Sequence, residues 1–447
     1  MESAKPSLDL VRSVTDEHVL RALMRHRRLT RAELAAETGI SKPTAGESVR
    51  RLTERGLLVD TGERTPGGRG KGRVGSYYAL AGSTGTALAV AIAPEGVVAE
   101  IVDVYGSTVT RARQEIRRPA RPADVASALE HVVATAVGAG VASAGVGGAG
   151  AGDRVRPALV PGSPPAADAR PAAVRPRLAV VSAADPVDRA TGRLVQLPDA
   201  PFLVGELDAV AVLGTYVDGP VTVDNDVNWA ARAEVDDSAR DFAYLYLGEG
   251  LGCAVVSDGV VQRGNRGLAG EIAYLLTAGP GGRAVRFIDV FAELGLRRAG
   301  SSGIHTGRLL AALREPDPAA VLRDALSGVV AAVVALADPG CVVLGGSWGP
   351  ALLGEAVDAA GSPAAGERSA GGERSAAGER SAGGERNAGG ETLPAGGGLP
   401  VGEALPLDGR MPWPVPVRAA RARDEPAFAG ARADALTRLR AAVVAAG

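Results

Sequence analysis

Between Asp241 and Leu275 the chain reads DFAYLYLGEGLGCAVVSDGVVQRGNRGLAGEIAYL, and this stretch limits the fold more than any other. Phe242 to Leu247 is an apolar, aromatic-rich run of strand length. Gly248, Gly250 and Gly252 alternate with Glu249 and Leu251, Ala254 to Val256 is a second apolar run, and Ser257-Asp258-Gly259 is a turn. The pattern predicts strand, glycine turn, strand, turn, strand. Closely spaced glycines also let a ligand lie against backbone N–H groups. A glycine-rich hairpin is equally a plain structural device, so the meaning of this one depends on the rest of the chain.

A length of 447 residues predicts two or three domains. Aromatic residues are only 3%, so Ala, Val and Leu must build the core. The formal charge of −2 divides unevenly, with residues 1–80 near +5 and the remainder near −7. A basic head on an acidic body suggests a polyanion-binding module joined to a domain of another kind. Cys253 and Cys341 lie in apolar runs and read as buried reduced thiols. MESAKPSLDL has no signal-peptide core, and the long uncharged runs are rich in Ala and Gly, so the expectation is a soluble cytoplasmic protein without a membrane partner.

In the head, Asp16 is read as the cap of a first helix ending near His26. Thr30 caps a second helix, with Glu33 at capping-box spacing, and Gly39 ends it. Ser41 caps a third, with Pro43 in its first turn. Helix, glycine turn, helix is the helix-turn-helix pattern. It presents Ser41, Lys42, Thr44 and Ala45 to base edges and phosphates, while Arg50, Arg51 and Arg55 neutralise backbone. Two strands near 57–59 and 77–80 enclose a loop carrying Arg64, Arg69, Lys71 and Arg73 among glycines, which reads as a wing. A helical protein-binding module and a solvated linker are the plain alternatives.

In the body, Ala87–Ile92 and Val97–Val104 predict a hairpin around Pro94-Glu95-Gly96, and Asp124–Val137 a helix. Residues 138–177 and 361–398 are low-complexity and read as disordered insertions. Leu178–Val181 is a strand, and Val221 to Ala231 a strand that ends in Asp224-Asn225-Asp226 at the start of a helix. Asn225 and Asp226 suit a polyhydroxylated ligand, whose hydroxyls need directional partners, and Glu271 supplies another carboxylate. Capping of that helix is the plain alternative for Asn225 and Asp226. Ser327–Asp338 reads as a helix, Cys341–Gly346 as a strand and turn, and Ala427–Ala445 as a final helix.

The run from Leu247 to Tyr274 resembles the signature LGxGxGxGxxxxGxxxxGxxGxAGExGH of the ROK family of repressors, open reading frames and sugar kinases. Most glycines and Ala269-Gly270-Glu271 match, while Ala273 and Tyr274 replace Gly and His. The resemblance implies a two-lobed, actin-like α/β domain of sugar-kinase type, here over 85–447, preceded by a winged helix-turn-helix over 1–80. It makes Asn225, Asp226, Glu271 and Tyr274 the ligand-binding candidates, with Asp226 at the position of the kinases' general base. It also marks two departures. The family's DxGxT phosphate loop is here Ala91-Ile92-Ala93-Pro94-Glu95, and the family's zinc cysteines are missing from Thr277–Phe287.

The expectation is therefore a transcriptional regulator, most simply a repressor, that binds double-stranded DNA and senses a small carbohydrate without phosphorylating it. No cofactor and no metal are expected, and a homodimer or homotetramer is. Ligand-driven closure of the lobes would alter the spacing of two DNA-binding heads. A ROK sugar kinase with an added head, or a regulator that has lost sugar binding, are the rival readings.

Overall fold

The structure is a computed structural model, and it describes residues 8–65, 75–144, 175–197, 202–353, 415–422 and 424–447. The basic loop residues Arg69, Lys71 and Arg73 lie outside the described residues, as do 145–174 and the 361–398 repeat. The chain divides into two compact units: residues 1–233 with 263–269 and 425–447, and residues 234–262 with 270–424.

The first unit begins with α1 (Leu8–His26), β1 (Arg28–Thr30), α2 (Arg31–Thr38), α3 (Lys42–Glu54), β2 (Leu58–Arg64) and β3 (Ser76–Leu80). The strands form a sheet in the order β1-β3-β2. The capping signals act as the sequence predicts. Thr30 Oγ1 accepts from Glu33 N at 3.2 Å, and Glu33 Oε2 accepts from Thr30 N at 2.8 Å. Gly39, in left-handed conformation, ends α2, and Ser41 Oγ accepts from Thr44 N to open α3.

The Asp16 expectation needs correction. The first helix starts at Leu8, and Asp16 sits mid-helix, 2% exposed. Its carboxylate accepts from the Ser48 hydroxyl and from two Arg51 nitrogens, Nη2 at 2.7 Å and Nε at 3.2 Å. A carboxylate that finds charged and hydroxyl donors on another helix gains more than one that caps its own. Arg51, expected on phosphate, is thereby engaged inside the head.

Next come β4 (Thr86–Ala93), β5 (Gly96–Asp103), β6 (Thr108–Glu115), α4 (Pro122–Ala144), β7 (Leu178–Ala183), α5 (Ala209–Leu213), β8 (Val221–Asn225) and α6 (Asp226–Ala233). Here α4 runs seven residues into the stretch read as low-complexity from Gly138. The sheet order is β6-β5-β4-β7-β8, with β4/β5/β6 antiparallel and β4/β7/β8 parallel. Side chains alternate along each strand. Leu88, Val90 and Ile92 of β4 meet the core under α4, while Ala87 and Ala89 face the other way, toward the chain's last helix.

The second unit repeats that strand order. It contains β9 (Phe242–Leu247), β10 (Leu251–Ser257), β11 (Val260–Val261), β12 (Leu276–Ala278), β13 (Ala284–Arg286), α7 (Phe287–Glu293), α8 (Thr306–Ala312), α9 (Pro316–Ala337), β14 (Val342–Gly345) and β15 (Val417–Ala419). Its main sheet is β11-β10-β9-β14-β15, again an antiparallel meander followed by two parallel strands. The strand-turn-strand-turn-strand expectation over 242–261 is met, with Asp258 and Gly259 both at positive φ in the second turn. Helix α9 is long and apolar enough to cross a membrane, yet Leu322, Leu326, Val330 and Val334 are buried in this unit's core.

The last helix, α10 (Pro426–Ala445), returns to the first unit. Leu439 and Val443 share one buried cluster with Leu20, Leu23, Val49 and Leu52 of the head and with Ala87, Val98 and Val180 of the sheet. Around it, Tyr105 Oη accepts from Leu80 N at 3.1 Å and donates to Arg27 O at 3.3 Å, and the Arg27 guanidinium lies over the Tyr105 ring. The head is thus continuous in packing with the first α/β sheet.

Candidate nucleic-acid interface and ligand-binding residues

The cap Ser41 and, on α3, Lys42, Pro43, Thr44, Glu47 and Arg50 are exposed, while Ser48, Val49 and Leu52 are buried against the head. Ala45, expected beside them at the groove, is buried too, because it falls on the helix's inner face. The outer face at the start of α3 is thereby available to a duplex groove. Ser41 is partly occupied as the cap, with its hydroxyl also 2.7 Å from that of Thr44. Arg50 forms a bidentate pair with Glu47 (3.1 and 2.6 Å) and reaches Glu54 at 2.6 Å. These bonds raise the Arg50 pKa above its usual value, and Arg50, ahead of burial, holds the Glu47 carboxyl below its own. Glu47 was missed from sequence, where a charge on an exposed helix face reads as solvated. Arg28 and Arg31 of the head lie over the rings of Tyr77 and Tyr78.

The ligand candidates fall in both units. Asn225 and Asp226, where β8 gives way to α6, belong to the first, and Glu271 and Tyr274 belong to the second. The Asn225 side chain is held at both ends: its Oδ1 accepts from Val227 N at 2.9 Å and its amide donates to Asp185 O at 3.2 Å. Asp226 Oδ1 also accepts from Val227 N, at 2.8 Å. Asn225 therefore caps α6, which the sequence left as the plain alternative, while Asp226 is the first residue of that helix and accepts from the same N–H. Behind them Asp224, 5% exposed, accepts from Asn225 N and from Asn228 Nδ2 and pairs with Arg263 of the glycine-rich stretch. Burial pushes the Asp226 carboxyl up to about 7, and Glu95 adds to the rise against the bonds from Val227 and Asn225. A carboxyl poised there can donate or accept near neutral pH.

The Ala269-Gly270-Glu271 motif is set by close backbone approach. Gly270 has φ +96°, and a side chain there would collide with the Cys253 carbonyl. Its own carbonyl accepts from Cys253 N at 2.8 Å. The motif is pinned to β10, which fixes the path of Glu271 into the short turn Ile272–Tyr274. Tyr274 is 41% exposed. The segment where the family carries zinc cysteines forms the β12–β13 hairpin. The Pro94-Glu95 segment is a two-residue turn closing β4 onto β5, with Ala93 paired to Gly96. Arg118 Nε donates to Pro94 O at 3.1 Å and its guanidinium lies 3.7 Å from Glu95.

The match to known proteins follows the same division of the chain. A winged helix-turn-helix DNA-binding family covers residues 12–59, and the ROK family covers residues 168–283. The chain carries a ROK domain behind a winged helix-turn-helix. A bifunctional enzyme NanE/NanK of Brucella melitensis is 35% identical over 150 residues, 31% of this chain and 29% of that enzyme. A glucokinase of Halalkalibacterium halodurans is 39% identical over 67 residues, 14% of this chain and 20% of that one. This chain thus spans less than a third of the length of these curated relatives. Among solved structures, a ROK family transcriptional regulator described as a homolog of the E. coli MLC protein aligns over 98% of this chain and 100% of its own. The TM-score there is 0.52 and the identity 14%, a likeness of fold. A helix-turn-helix ahead of a ROK domain supports a DNA-binding transcriptional regulator, and the fold is the expected one: a winged head followed by a sugar-kinase-like α/β domain.

Proposed function

We propose that this regulator represses transcription in the cytoplasm, binds operator DNA as a homodimer or homotetramer, and senses a small carbohydrate without phosphorylating it. The observation that carries the second half is the Pro94-Glu95 turn. A phosphoryl group needs several backbone or cationic donors converging on it. Here proline removes one N–H, the turn is closed by strand pairing, and Glu95 brings a negative charge. Asn225, Asp226, Glu271 and Tyr274 are the proposed ligand contacts, and Ser41, Lys42, Thr44, Arg50, Arg69, Lys71 and Arg73 the proposed DNA contacts. The test is operator affinity across a panel of sugars for the wild type, Asp226→Asn and Tyr274→Phe. A sugar that changes wild-type affinity should act less on Tyr274→Phe and least on Asp226→Asn. An unchanged response in Asp226→Asn would restrict that residue to its place at the start of α6.

One observation favours the kinase reading. An Asp226 carboxyl near 7 suits a general base that takes a hydroxyl proton. Hexose-dependent ATP turnover that vanishes in Asp226→Asn would establish that reading in place of silent sensing.

A further inference from the structure

We infer that Glu47 selects the bases this regulator reads, by accepting a hydrogen bond from the exocyclic amino group of a cytosine in the major groove. The inference rests on the DNA-binding reading of the head and extends it to a residue and a base. Glu47 stands one turn into α3, on the same exposed face as Pro43 and Arg50. Its orientation is held at both levels below it. Arg50 grips both carboxylate oxygens, and Arg51, itself fixed on buried Asp16, lies 3.8 Å away. The carboxyl is kept ionised by these cations, so it meets DNA as an acceptor only.

An ionised carboxylate at the start of a recognition helix faces phosphates that repel it. Arg50 offsets that repulsion, but Glu54 is attached to the same guanidinium, so the outer row Glu47, Arg50, Glu54 carries net negative charge. This row adds nothing to nonspecific attraction. Its gain must come from a donor on a base edge. In the major groove, the pairing that suits a carboxylate is with cytosine N4.

The experiment uses the full-length chain with randomised duplexes, followed by competition binding of the selected site and its single-base variants at several salt concentrations. Wild type should show a cytosine preference at one position of about 5- to 150-fold, the range of one good base contact. Glu47→Ala should lose that preference without a shallower salt slope, because no cation is removed and Arg50 is released from one of its carboxylate partners. Glu47→Gln should move the preference toward adenine, whose N6 and N7 match a carboxamide. Uniformly tighter binding of Glu47→Ala to every sequence, with no base preference lost, would overturn the inference and leave Glu47 as repulsion alone. A preference for that C·G pair that survives in Glu47→Ala and is abolished in Arg50→Ala would overturn it too, because the guanine of the pair would then be read by Arg50. Wild-type protein that binds no duplex at low salt would refute the DNA-binding reading itself, a separate result.

Discussion

Replacing Asp226 with Asn should stabilise the protein, and only above mildly acidic pH. Burial raises this carboxyl from 3.8 to about 7 in the folded chain. Between those values the unfolded chain has lost the proton that the folded chain still holds. The folded state therefore binds more protons, and stability falls as pH rises from about 4 to about 7, then levels. At about 1.4 kcal/mol per pH unit the full shift corresponds to roughly 4 kcal/mol. Asp226 keeps some contact with solvent, so about 1–3 kcal/mol is the expected effect. Asparagine retains the oxygen that accepts from Val227 N and carries no charge to desolvate. Urea unfolding of wild type and Asp226→Asn from pH 4.5 to 8.5 is the assay. The curves should converge at the acid end and separate by about 1–3 kcal/mol above pH 7. A gap that does not change with pH, or an Asn variant less stable at pH 8, would refute the reasoning. A variant that gains stability while losing its sugar response would identify Asp226 as a residue kept for function at the expense of the fold.

Asp16→Ala strands the buried Ser48 hydroxyl and the Arg51 guanidinium, and should destabilise the head by about 3 kcal/mol with loss of operator binding, measured by denaturation and gel shift. Tyr105→Phe removes the partner of Leu80 N and Arg27 O, worth about 0.5–1.5 kcal/mol, so hydrogen exchange at the Leu80 amide should quicken by roughly 2- to 13-fold. Gly270→Ala combines a collision with an unfavourable φ and should lower the stability of the second unit by more than about 2 kcal/mol, read from its unfolding midpoint. Arg69→Ala and Arg73→Ala should each weaken binding evenly across sequences and reduce the logarithmic salt slope by about 1.

Local signals were legible in the sequence, and long-range partners were not. Thr30 with Glu33, Ser41 before Pro43, and the alternating glycines from Gly248 each act within a few residues, so their pattern reports their structure. Asp16 shows the limit. An Asp before an apolar stretch looks the same whether it caps its own helix or accepts from Arg51, 35 positions away. Strand β6 was overlooked because its residues are mostly exposed and polar, and its place comes from pairing with β5. Asn225 and Asp226 were recognised, but the use of Asn225 as the cap depends on the Asp185 carbonyl and the turn into α6. Glu47 gave no signal because its meaning lies in the cations holding it.

The packing of α10 has a consequence for how the protein comes into being. Helix α1 leaves the ribosome early, but Leu20 and Leu23 meet Leu439 and Val443 only after the intervening chain has been made. The part that touches DNA is thus translated first and finished last. Until α10 is made, the head and the first sheet lack the apolar partners that it supplies in the folded protein. A chain lacking α10 leaves Leu20, Leu23, Ala87 and Val98 short of the apolar partners that Leu439 and Val443 provide.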